Sequence, residues 1–72
     1  MTSAVVREWH SDLGWGVLDS DETPGGCWAH FSVIEVDGYK ALGAGTPVDL
    51  TWEAPGQDGY EFRAVRVVPQ AD

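Results

Sequence analysis

The sequence predicts a small all-β barrel of five antiparallel strands, and three observations carry that expectation. Short apolar-polar alternations recur along the chain: Val48, Leu50 and Trp52 point one way over 47–53 while Asp49, Thr51 and Glu53 point the other. Turn-forming clusters, Pro24-Gly25-Gly26 and Pro55-Gly56-Gln57-Asp58-Gly59, separate these runs. No stretch holds a helical stripe of useful length. Five strands this short bury a core and hide their edges only if the sheet closes or nearly closes on itself.

The first strand is expected over 4–10, Ala-Val-Val-Arg-Glu-Trp-His, where β-rich residues run without a cap. Ser11 to Gly14 is a tight connection into a second strand over 14–19. Glycines at 14 and 16 weaken a strand interior, so a bulge, a sharp bend or the close approach of another group must account for them. The acidic stretch 19–26 reads as an exposed loop, and the third strand follows over 26–31. Ser32 has the spacing to cap a single helical turn, with Glu35 as its capping-box partner. A long glycine-containing connection over 36–45 leads to the fourth strand, 47–53. The fifth strand runs from Tyr60 to Val68 and changes parity: Tyr60, Phe62 and Ala64 share one face, Val65 and Val67 the other. A bulge near Ala64 reconciles the two halves. The chain is thus expected to be one domain over 1–72, with the barrel at about 4–68 and a short C-terminal tail.

Composition bounds the function. With 43% hydrophobic residues, four tryptophans, two tyrosines and two phenylalanines, the chain has the apolar material that disordered segments lack. A single cysteine cannot form an internal disulfide, so packing must hold the fold, which suits a reducing compartment. No N-terminal signal pattern or membrane-length apolar run is present, and a soluble cytoplasmic protein is expected. Twelve acids against four bases give a formal net charge of −8. That balance disfavours loose electrostatic attachment to phosphate backbones or anionic membranes, but it leaves stacking of bases on aromatic rings open. Cys27, His10 and His30 lack metal-ligand spacing, and no nucleophile–base pair can be assembled. No cofactor, metal or catalytic residue is expected, and the chain does not read as an enzyme.

The second and third strands carry the functional signal. Alternation places Trp15 and Val17 on one face of the second strand, and Trp28 and His30 on one face of the third. Leu18 and Ala29, of opposite parity, suit the barrel interior. Paired side by side, the strands would show two tryptophans and a histidine on one surface, and exposed patches of that kind mark binding.

Leu13-Gly14-Trp15-Gly16-Val17-Leu18 resembles the first ribonucleoprotein motif of cold-shock domains, commonly Lys-Gly-Phe-Gly-Phe-Ile. Cys27-Trp28-Ala29-His30-Phe31-Ser32-Val33-Ile34 resembles the second, commonly Val-Phe-Val-His-Phe-Ser-Ala-Ile. Asp37-Gly38-Tyr39-Lys40-Ala41-Leu42 is similar to the family's Gly-Phe/Tyr-Lys-x-Leu loop, and Gly45-Thr46-Pro47-Val48 to the segment leading into its fourth strand. Arg7-Glu8-Trp9-His10 stands where the family has Lys-Trp-Phe-Asn. The likeness is nearly colinear from Val5 to Val67.

The resemblance implies an OB-type barrel that binds single-stranded RNA or DNA through aromatics on strands one to three, as an RNA chaperone or a regulator of transcription or translation. Carried over position by position, it implies nucleic-acid contacts from Trp15, Trp28, His30, Phe31, Tyr39 and Trp9, with Arg7 and Lys40 as nearby cations. Three departures thin that surface: Glu8 replaces a tryptophan, Leu13 a lysine and Val17 an aromatic. They support a second expectation, a protein-interaction module on the same barrel whose tryptophan patch meets a protein partner or forms a homodimer contact, with nucleic-acid binding weakened or lost.

Overall fold

A computed structural model of the chain describes residues 1–35 and 42–70. It contains strands β1 (Thr2–His10), β2 (Trp15–Asp19), β3 (Cys27–His30), β4 (Pro47–Glu53) and β5 (Phe62–Pro69), with one 3-10 turn at Phe31–Val33. They close into a barrel in the order β1-β2-β3-β5-β4, β4 pairing back onto β1. Closure leaves no whole strand of the described barrel as a free edge.

One seam departs from the antiparallel expectation. β3 and β5 run parallel, through Cys27 opposite Phe62 and Trp28 opposite Arg63. The reason is arithmetic: an odd number of strands in a closed ring cannot alternate direction at every seam. Just beyond β3, Ile34 bridges Val67 in the same sense, and the Glu35 backbone N–H donates to the Val67 carbonyl at 2.8 Å.

Two bulges set which side chains enter the barrel. In β5, Thr51 faces Arg66 and Trp52 faces Ala64, so Val65 has no partner on β4. Ala64 and Val67 therefore both point inward, while Val65 is exposed. This is the parity change anticipated near Ala64. In β1, Val6 faces Leu18 and Glu8 faces Val17, which leaves Arg7 as the extra residue. Ala4 and Val6 enter the core before the bulge and Trp9 turns inward after it, so Glu8 and His10 face out.

The interior holds Ala4, Val6, Leu18, Cys27, Ala29, Ile34, Leu42, Val48, Leu50, Ala64 and Val67. Small and branched residues dominate, as a narrow barrel requires. Trp52 and Phe62 meet edge-to-face at 5.1 Å against this core. Trp52 is half-buried rather than enclosed; its Nε1 donates to Glu22 Oε1 at 3.3 Å, keeping the polar end of the indole at the rim.

The turn after β3 differs from the capping box expected of Ser32 and Glu35. His30 is the capping residue, its Nδ1 accepting from the Ser32 backbone N–H at 3.2 Å. Glu35 instead accepts from Arg66 on β5. The expected connection over 36–45 lies largely outside the described residues.

Candidate nucleic-acid interface

Antiparallel register builds the outer face of the β1-β2-β3 meander. Trp15 pairs with His30 and Val17 with Trp28 across β2 and β3, while His10 and Glu8 pair with Trp15 and Val17 across β1 and β2. Partners across a ladder share a face. Their rings form a continuous row. His10 lies 4.5 Å from Trp15, Trp15 stacks on Trp28 at 6.3 Å, Trp28 on His30 at 6.1 Å, and His30 tilts against Phe31 at 4.8 Å, all centroid to centroid.

Accessibility along the row is uneven. Phe31 is 45% exposed and Trp15 and His30 are half-buried, so each presents ring surface to solvent. Trp28 does not: it is only 7% exposed. The expectation that two tryptophans stand exposed is corrected here. Trp28 lies mid-row between Trp15 and His30, with Val17 and Arg63 as its neighbours on the flanking strands, so its surface is spent on packing. Its Nε1–H finds no acceptor among the described residues.

Trp9 is also corrected. It faces the barrel interior opposite Gly16 and packs on the core, away from the outer row. A Cβ on Gly16 would collide with the Trp9 ring and with the Glu8 carbonyl oxygen. Close approach of an aromatic side chain therefore explains one of the two strand glycines. Gly14 answers for the other: φ is +78°, and the Phe31 ring lies over its α-carbon. The Phe31 backbone N–H donates to the Gly14 carbonyl at 2.9 Å, which ties the end of the row to the turn before β2.

Sequence reasoning missed His10. Strict alternation along β1 would have placed it on the same side as Ala4 and Val6; the Arg7 bulge moves it to the outer face. The bulge distinguishes the two placements, and the signal that could have found it is Glu8 standing at the cold-shock family's binding-surface tryptophan position, which puts His10 two residues on upon the same face. Tyr39 and Lys40, both expected at the interface, lie outside the described residues.

The electrostatics of the face are those of paired charges. Arg7 holds Asp19 with three contacts, two from Nε at 3.0 Å and one from Nη2 at 2.5 Å. That hydrogen-bonded carboxylate is the main reason the Arg7 guanidinium is held above its ordinary pKa. Arg63 pairs with Glu53 and Arg66 with Glu35. Every arginine in the protein is thus matched by a carboxylate. Arg7 is present where it was expected, but its charge is committed within the protein. Arg7 and the loop after β2 also close over Val17: a Cβ on Gly26 would come within 2.8 Å of Val17 Cγ1 and 3.0 Å of Arg7 Nη2.

Cys27 faces the core and is fully buried, and burial pushes its thiol up to about 11. It stands on the opposite side of β3 from His30.

Known proteins similar to this chain bear on what the closed five-stranded barrel is. Over all 72 residues the chain is 29% identical to the cold shock-like protein CspD of Haemophilus influenzae, covering 96% of it. It is 32% identical to the cold shock-like protein CspD of Vibrio cholerae serotype O1 over 65 residues, which is 90% of this chain and 84% of that one. Cold shock protein 1 of Lactiplantibacillus plantarum is 31% identical over 70 residues, 97% of this chain and the full length of the relative. No family model matches the chain. Identity at this level over nearly full length, on an OB-type barrel, shows that the chain belongs to the cold-shock protein family.

Proposed function

We propose that this barrel binds single-stranded RNA or DNA by stacking unpaired bases on its outer face. Nucleic-acid binding is the general activity of the cold-shock family, and the ring row from His10 to Phe31 is the observation that carries the proposal for this member. Trp15, His30 and Phe31 offer accessible ring surface, with His10 beside Trp15 extending the row. Trp28 serves as the support beneath and between them. Each base–aromatic stack is typically worth ~1–3 kcal/mol by substitution. The arginines pair internally, so affinity rests on stacking and the phosphates face solvent. The likeness to cold-shock proteins supports a role as an RNA chaperone or as a regulator of transcription or translation.

The paired arginines favour a second reading. A ring row rimmed by acids and lacking a free arginine also suits a basic protein partner, with nucleic-acid binding lost.

Tryptophan fluorescence titrated with dT and dA heptamers separates the two. The expected result is quenching that Trp15→Ala abolishes without unfolding, while Trp28→Ala lowers thermal stability as well. Absence of quenching at high micromolar oligonucleotide would leave the protein-interaction reading in its place.

A further inference from the structure

We propose that Glu8, held by His10, reads the edge of one stacked base and favours guanine over thymine or uracil there. The inference rests on the nucleic-acid reading above and adds base selectivity to it.

The Arg7 bulge turns Glu8 and His10 onto the outer face together. The Glu8 carboxylate meets His10 Nε2 through Oε2 at 2.5 Å, and the His10 ring lies 4.5 Å from Trp15. This contact fixes the carboxylate beside the stacking surface. Both side chains stay accessible, 42% for Glu8 and 35% for His10. Arg7, the adjacent cation, is committed to Asp19 through three contacts. Among the described residues no donor other than His10 reaches the Glu8 carboxylate.

The β1 end of the ring row therefore presents an acceptor-only group next to a π surface. A carboxylate ranks base edges by the donors they offer. Guanine offers N1–H and N2–H side by side, two parallel donors that match two carboxylate oxygens as a forked donor does. Cytosine and adenine offer one amino group each. Thymine and uracil set two carbonyl oxygens around a single N–H, so their edges turn lone pairs toward the carboxylate. A site built on a fixed hydrogen-bonding group rejects a ligand that leaves the group unmatched.

The test uses the intact protein and a dT heptamer in which one thymine at a time is replaced by guanine, read by tryptophan fluorescence. One position should bind on the order of tenfold more tightly with guanine than with thymine. Inosine, which lacks the N2 amino group, should fall between them at that position. Glu8→Gln keeps the side-chain shape but can also donate, and should reduce the guanine-to-thymine ratio below about twofold. Circular dichroism would show that the variant remains folded. Equal binding of all seven guanine oligonucleotides and of the dT heptamer would overturn the inference and leave the stacking proposal standing. So would a guanine preference that survives Glu8→Gln. Failure of every oligonucleotide to quench would overturn both.

Discussion

The indole of Trp9 occupies the space into which Gly16 would project a Cβ, and the two residues face each other across the β1–β2 ladder. Gly16 therefore belongs to the barrel's packing, although it lies between Trp15 and Val17 in the segment that carries the binding signal. Gly16→Ala should destabilise the protein by about 1–3 kcal/mol, the usual cost of forcing an atom into a filled site. Urea denaturation checks this. Combined with Trp9→Leu, which removes the ring clash but not the one with the Glu8 carbonyl, Gly16→Ala should cost less than it does in the presence of Trp9; strictly additive losses for the two substitutions would contradict that packing role.

Asp19 determines whether Arg7 counts as a cation. Asp19→Ala removes the carboxylate that receives all three Arg7 contacts, at a stability cost below about 1 kcal/mol for a pair this exposed. The freed guanidinium lies beside Val17 at the border of the outer face. Oligonucleotide binding to the unmodified protein should show a shallow salt dependence, with a log–log slope of about −1 or flatter. The variant should bind more tightly and its slope should steepen by roughly 0.7, the value for one further phosphate on a single strand. Parallel lines for the two proteins would place Arg7 away from the path of the strand.

Cys27 links the core to alkaline pH. Its folded pKa, raised to about 11, lies above that of an exposed thiol near 8.5. The folded state therefore holds the thiol proton more tightly than the unfolded state does. The corresponding stabilisation is complete below the unfolded value and is lost as pH rises through the folded one. Chemical denaturation between pH 8 and 11 should show a loss on the order of 2–3 kcal/mol from this group, absent in Cys27→Ala. At pH 8 the native thiol should resist alkylation, reacting only on unfolding. Rapid labelling of the folded protein would show that the thiol is not enclosed.

Much of the architecture was legible in the chain because simple alternation governs it. Val48 and Leu50 point inward as their spacing requires, and the conflict between Phe62–Ala64 and Val65–Val67 correctly located a bulge. Leu18 and Ala29 fill the interior as parity demanded. The site was read less completely, for reasons that concern neighbours rather than pattern. The Arg7 bulge decides the side on which His10 and Trp9 fall, and it depends on how β1 meets β2, not on β1 alone. Parity placed Trp28 on the outer face, but burial depends on what flanks a ring, and Trp15, His30, Val17 and Arg63 surround this one. The pairing of Arg7 with Asp19 joins residues twelve apart that meet only once the hairpin forms.

The odd number of strands has a consequence for how the molecule assembles. Every ring of the outer row comes from the continuous stretch between His10 and Phe31, carried by two short hairpin connections. The parallel β3–β5 seam, by contrast, joins residues more than thirty positions apart through two residue pairs. Loop-closure entropy weighs more heavily on that seam than on the meander. The ring row is thus a sequence-local unit whose spacing is set by neighbouring registers, while the β4–β5 hairpin closes the wall behind it. Substitutions in that hairpin can alter how firmly the barrel shuts without rewriting the order of rings on its face.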